Sequence, residues 1–320
     1  MSILVLTAKR VNPLLLEIIY EKFKYRRIKT ETVFYEDGQD KIDTFLSRNK
    51  AVMCAPGRWI EKDIIKKNSH IKLYQLWSSG FDKFNSKACK DSNIKICTNF
   101  GNNAVSVSEH TLLLMLSLSK KLPEMNQRTV TGNWSGNCNG AEMHTLNSRS
   151  LFLIGLGNIG KKVAKLALAF GMQVFYFDIK RSIDYEKLGL NYVDINRGLA
   201  LADYISLHLH DNESTKNIIN ENNCKFIKKG SFLINVSRAS LISDKALSYL
   251  INNNLISGIG NDVFKNEPTD GTEQILKYKN SVFTPHIAGS TIEAISECIE
   301  FCCSNLDNAI SDRKFEFIDL

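Results

Sequence analysis

The stretch "SLFLIGLGNIGKKVAKLALAFG", residues 150–171, constrains this chain more than any other. An apolar run of strand length stops at Gly155, and Gly155, Gly157 and Gly160 then stand in the spacing G-x-G-x-x-G at the start of a helix-like segment. In that context the first glycine permits the turn, the second lets a pyrophosphate approach the backbone, and the third packs helix on strand. The helix N-terminus adds unpaired amides and a positive dipole end for the phosphates, and Gly171 suits the helix stop. Three glycines so spaced can also be a tight turn with no ligand. What favours a dinucleotide is the next apolar run, "QVFYFD", which ends in Asp178, 18 residues after Gly160, where a carboxylate holds the adenosine ribose hydroxyls. A carboxylate there repels a 2'-phosphate, so NAD is preferred. Lys180 and Arg181 follow at once and could bind such a phosphate, which leaves NADP open.

The rest of the chain alternates in the same way. Apolar runs at "SILVLTAKR", "AVMCAP" (51–56), "IKLYQLW" (71–77) and "NIKICTNF" (93–100), with a helix-like segment over 13–24, predict a small α/β domain at the start. Residues 103–122, "NAVSVSEHTLLLMLSLSKKL", predict a buried helix with Pro123 beyond its end, serving as a crossover between domains and possible subunit contact. Residues 124–149 read as loop with short helix, and Trp134 and Arg149 as packing residues. Six strand-like runs follow ("SLFLIG", "QVFYFD", "ADYISLHLH", "GSFLINVSR", "ISGIGNDVF", "SVFTPH"), which predict a doubly wound parallel sheet. The stretch "IEAISECIEFCCSNLDNAI" has helical spacing and follows the second domain in sequence. The expected division is a catalytic domain over 1–102, completed by 288–320, with a dinucleotide-binding domain over 103–287 inserted in it.

Charge and cysteines narrow the classes. The net charge of +7 is spread among acidic residues rather than gathered in arms, which argues against a nucleic-acid surface. The eight cysteines lack zinc-site spacing and read as reduced thiols of a cytoplasmic protein; no metal is expected. The most apolar stretch, "TLLLMLSLS", is far short of the roughly 20 residues a bilayer needs, so no membrane partner is expected.

Ligands of open parallel sheets sit beyond the carboxyl ends of the strands. His210, Arg238, Asp262 and His286 each follow an apolar run closely, and Arg238, Glu267 and His286 make a coherent chemical set. A guanidinium binds a carboxylate and polarises a carbonyl, while a carboxylate beside an imidazole orients it and favours its protonated form. Taken singly, each residue has a plain structural explanation, such as a satisfied histidine at a strand end or a solvated glutamate in a turn. Taken with the glycine loop, they suit hydride transfer coupled to protonation of the developing alkoxide.

The stretches "SSGFDKF", "NNAVSVSEHTLLLML", "LIGLGNIGKKVAKLALAFGMQVFYFD", "ADYISLHL", "FLINVSRASLISDKAL", "GNDVFKNEP" and "FTPHIAGST" occur in an order that resembles the D-isomer-specific 2-hydroxyacid dehydrogenase family over nearly the whole chain. The resemblance implies a Rossmann-type doubly wound sheet inserted into a smaller flavodoxin-like α/β domain, with a small 2-oxo or 2-hydroxy acid bound in the cleft between them. It implies Arg238 as the substrate-binding and polarising residue, His286 as general acid or base, and Glu267 as its partner. It also implies NAD contacts from Asn158, Ile159, Asp178 and Asp262, with backbone contacts around Leu209, Val236 and Gly289. Backbone amides of Ser79 and Gly80 would meet the substrate carboxylate, and the long helix would build a homodimer.

Several positions depart from the family pattern: Ala239 for Gly, Ser243 for Asp, His210 for Pro and Asn261 for an apolar residue. None of these removes a member of the catalytic set. Arg58, in "CAPGRWIEK", could pair with a second anionic group on the substrate; Arg58 and Trp59 could equally stack at a surface. Two rival readings keep the fold but change the output: an NAD-sensing binding protein without turnover, and a formate-type dehydrogenase.

Overall fold

Short continuous apolar runs become the strands of two all-parallel sheets, each buried on both faces, which is the burial that such runs require. The computed structural model describes residues 2–55, 60–82, 84–134, 136 and 142–319. It divides into two compact units, Met1–Asn103 with Ile292–Leu320, and Ala104–Thr291.

The first unit holds β1 (Ser2–Thr7), β2 (Lys29–Phe34), β3 (Ala51–Cys54), β4 (Leu73–Leu76) and β5 (Lys95–Cys97) in the order β2-β1-β3-β4-β5. That order is flavodoxin-like. Along β1 the side chains alternate between two cores, Ile3 and Val5 on one face and Leu4 and Leu6 on the other. Helices Pro13–Tyr25 and Ile292–Ile310 cover the first face, the latter through Cys298, Ile299, Cys302, Cys303 and Leu306. The seven described cysteines are all buried and free, and burial pushes the Cys97 and Cys303 thiols up to about 12. Those two behave as small hydrophobes rather than nucleophiles.

The second unit holds β6 (Ser150–Ile154), β7 (Gln173–Phe177), β8 (Asn191–Tyr192), β9 (Tyr204–Leu207), β10 (Ser231–Asn235), β11 (Ile256–Asn261) and β12 (Ser281–Phe283). Their order is β12-β11-β10-β9-β6-β7-β8, so the chain starts in the middle, winds out to β8, then returns to build the other half from β9. The reversal between β6 and β9 is the switch point at which such sheets bind dinucleotides. The expected six strands are present; the seventh, β8, is a two-residue edge.

Helix Ala104–Ser119 lies against this sheet, and glycines permit the approach: a Cβ on Gly260 would stand 3.0 Å from Leu114 Cβ, and one on Gly258 3.1 Å from Leu118. The expected helix over 103–122 ends earlier than its apolar pattern does. Lys121 adopts a left-handed conformation (φ +50°), and a second helix runs Leu122–Val130 with Pro123 in its first turn, where a missing amide costs nothing. Trp134, expected to pack, is 80% exposed, the last of four exposed residues, 131–134, that follow the second helix. Among the described residues no helix is long and apolar enough to cross a membrane.

Candidate active site

The glycine loop forms at the end of β6. Gly155 has φ +104°, and a Cβ there would lie 2.5 Å from the His208 carbonyl oxygen; a Cβ on Gly160 would lie 2.2 Å from the Gly155 carbonyl oxygen. Neither position has room for any side chain. A Cβ on Gly157, by contrast, would meet nothing within 4 Å. Open space over the middle glycine, at the first turn of helix Asn158–Ala169, is what a pyrophosphate needs. Asp178, one residue past β7, accepts a hydrogen bond from the Leu156 amide at 2.7 Å, which fixes its carboxyl group at the mouth of the loop. These residues fit a nicotinamide dinucleotide. Leu209 and Val236 stand just past the adjoining ends of β9 and β10, and burial pushes the imidazole of His208, the residue before Leu209, down to about 3, so its ring is neutral.

Arg238, Asp262 and His286 follow the ends of three adjacent strands, β10, β11 and β12. At the first, Asn235 shapes the turn: its Oδ1 accepts from the Ser237 amide at 3.1 Å and its amide donates to the Arg238 carbonyl oxygen at 2.9 Å. The Arg238 guanidinium, half-buried, donates to the Ser237 carbonyl oxygen at 2.8 Å. Ser243, where the family pattern has Asp, caps helix Asp244–Asn252 by accepting from the Ala246 amide, a task either residue performs.

Glu267 and His286 are in direct contact, Nδ1 to Oε2 at 2.8 Å, with the imidazole 44% exposed. The second carboxyl oxygen of Glu267 accepts from the Phe264 amide at 3.0 Å, so the group that orients the imidazole is itself held. His286 adopts φ +55°, a conformation uncommon outside glycine. Such a backbone persists only where its surroundings over-determine it.

Here that work falls to Asp262. Its side chain has no exposed surface, and it accepts from the Thr284 hydroxyl at 2.6 Å, the Ile287 amide at 2.9 Å and the Ala288 amide at 2.9 Å. His110, on helix Ala104–Ser119, meets Thr284 Oγ1 at 2.9 Å; burial holds its imidazole below the usual value, against the pull of Asp262 at 3.8 Å. Asp262 therefore ties both flanks of His286 to the end of β11, and turns no surface outward to a nicotinamide. Gly289, half-buried, closes the turn beyond it. Sequence reasoning missed Asn235, Thr284 and His110; the one available signal was polar residues inside otherwise apolar strand and helix runs.

In the first unit, Ser79 shares its hydroxyl between Asn99 Oδ1 (2.6 Å) and Asn103 Oδ1 (2.8 Å), and Ser78 donates to the Gly80 carbonyl oxygen (2.8 Å). With those side chains committed, this turn has backbone to offer a ligand. Arg58 and Trp59 lie outside the described residues.

Residues 112–288 match the model of the D-isomer specific 2-hydroxyacid dehydrogenase NAD-binding domain. A hydroxypyruvate reductase of Thermotoga maritima is 35% identical over 239 residues, covering 73% of this chain and 76% of its own. A 2-hydroxyacid dehydrogenase homologue of Schizosaccharomyces pombe is 30% identical over 317 residues, 92% of this chain and 95% of its own. Among solved structures, D-lactate dehydrogenase of Aquifex aeolicus complexed with NAD and lactic acid superposes with a TM-score of 0.85 at 25% identity, covering 97% of this chain and 96% of that one.

Proposed function

From the premise that this chain belongs to the D-isomer specific 2-hydroxyacid dehydrogenase family and is an NAD-dependent dehydrogenase, we propose that it interconverts a small 2-oxo acid and its D-2-hydroxy acid with Arg238, Glu267 and His286 as the working residues. The observation that carries this reading is the Glu267–His286 contact at 2.8 Å, on the same strand-end edge of the sheet as the glycine loop.

When bound, the nicotinamide supplies or accepts the hydride. The chain's part is binding and proton handling. Gly155, Gly157, Asn158, Ile159 and Gly160 receive the pyrophosphate, Asp178 the adenosine ribose, and the backbone about Leu209, Val236 and Gly289 the remainder of the dinucleotide. The Arg238 guanidinium pairs with the substrate carboxylate and polarises the 2-oxo group. Glu267 engages Nδ1 of His286, which leaves Nε2 to give its proton to the substrate oxygen in reduction and to take it back in oxidation. Asp262, expected at the carboxamide, serves through the loop it holds. The amides of Ser79 and Gly80 are assigned to the substrate carboxylate.

The test is NADH oxidation, repeated with NADPH, with glyoxylate, hydroxypyruvate, pyruvate and phosphohydroxypyruvate as candidate acceptors. Turnover of at least one is expected. Turnover of none would favour the non-catalytic reading, and formate oxidation without any 2-oxo acid reduction would replace the substrate class.

A homodimer built on helix Ala104–Ser119 belongs to the same reading, supported by Val105 and Leu113, 52% and 50% exposed on that helix, and Val130, 75% exposed on the next. Sedimentation at micromolar concentration is expected to give the mass of two chains; a single-chain mass there would remove the dimer from the proposal.

A further inference from the structure

The turn after β7 carries two opposed instructions, a carboxylate that rejects a 2'-phosphate and, three residues on, a guanidinium suited to bind one. The structure resolves the conflict through a third residue. Arg181 is engaged by Glu186 through both ends of its fork, Nε to Oε1 at 3.0 Å and Nη2 to Oε2 at 2.6 Å. Its guanidinium also lies over the Tyr192 ring, 5.2 Å from the centroid. Glu186 is held in turn by the Tyr176 hydroxyl, which donates to Oε1 at 2.7 Å while accepting from the Ser182 amide at 2.8 Å. Glu186 is 20% exposed against 57% for Arg181, so the carboxylate is the fixed member of the pair. A bidentate, stacked guanidinium has used the geometry it would offer a phosphate.

We infer that Glu186 is a specificity-determining residue: by latching Arg181 to Tyr176 and Tyr192, it keeps the guanidinium from acting as a 2'-phosphate anchor and reinforces the selection of NAD that Asp178 begins. The inference rests on the proposed place of Asp178 at the adenosine ribose. Glu186 itself touches no part of the cofactor. Its effect is a denial of a partner, which is one of the two ways in which specificity is built.

The experiment measures binding of 2',5'-ADP and 5'-ADP to the full chain by calorimetry, so it does not depend on turnover. Asp178→Ala is expected to raise the affinity for 2',5'-ADP relative to 5'-ADP. Adding Glu186→Ala should raise it further by roughly three- to tenfold, the scale of one released, partly exposed guanidinium, with 5'-ADP affinity unchanged. Adding Arg181→Ala to that pair should abolish the second gain. Glu186→Gln, which keeps an acceptor for Tyr176, should give the same direction with a smaller step, and confirms that charge rather than loss of fold is at work. No second gain, or one that survives Arg181→Ala, overturns the latch. If Asp178→Ala alone leaves the ratio of the two affinities untouched, the placement of Asp178 fails, and the latch with it.

Discussion

Replacing His286 with alanine is expected to lower kcat by about 10² or more, the usual contribution of a positioned general acid, while the dissociation constant for NADH stays unchanged. The separation follows from where the groups sit. The glycine loop and Asp178 gather at the ends of β6 and β7, whereas His286 follows β12 at the far side of the sheet, beyond β9, β10 and β11. Removing the imidazole leaves Glu267 held by the Phe264 amide, so its place is not thrown open to rearrangement. Steady-state kinetics at saturating 2-oxo acid, with a fluorescence titration of NADH, checks both halves. A rate equal to that of the native chain would sink the assignment of His286 as proton donor. Glu267→Gln should produce a smaller loss, since it keeps a hydrogen-bonding partner for Nδ1 but withdraws the charge.

Asp262→Asn is expected to cost about 2–4 kcal/mol of stability, because the carboxamide keeps one acceptor oxygen, enough for the Thr284 hydroxyl and the Ile287 amide, but turns an NH2 toward the Ala288 amide, which itself donates, and withdraws the charge from all three bonds. For a unit of this size that is a fall of roughly 5–15 °C in the unfolding midpoint. The change also reaches catalysis. The left-handed φ of +55° at His286 is maintained by the hydrogen bonds on either side of it, so a slackened loop should lower kcat without touching the imidazole. Thermal unfolding and amide hydrogen exchange at Ile287 and Ala288 read the two effects separately. Native protection at both amides, with an unchanged midpoint, would show that Asp262 does not hold the loop.

These two residues mark the limit of what was legible beforehand. The strands with continuous apolar runs could be read directly, since a sheet buried on both faces leaves no polar alternation to confuse them. β2 escaped notice because "KTETVF" is half-buried at an edge and opens on four polar residues, so it carries no apolar run. β8 is too short to carry any period. The break at Lys121 is invisible in a leucine-rich pattern that suits helix on both sides of it. In the site, the Glu267–His286 pairing could be anticipated from chemical type. Asp262 could not: its three donors lie 22 to 26 residues later in the chain, and only the fold reveals that they surround it. The Glu186 latch was hidden similarly, since Arg181 read alone counts toward NADP.

The discontinuity of the first unit has a bearing on synthesis. One face of its sheet, with Ile3, Val5, Met53 and Leu73, is covered partly by helix Pro13–Tyr25 and partly by a helix made only after residue 291. At roughly 5–20 residues per second, the nascent first segment waits on the order of ten to forty seconds for the rest of its cover while the whole of the second unit emerges and closes its own core. The core on that face of the first unit is therefore completed only after the whole of the second unit has been made, although the first unit begins earlier.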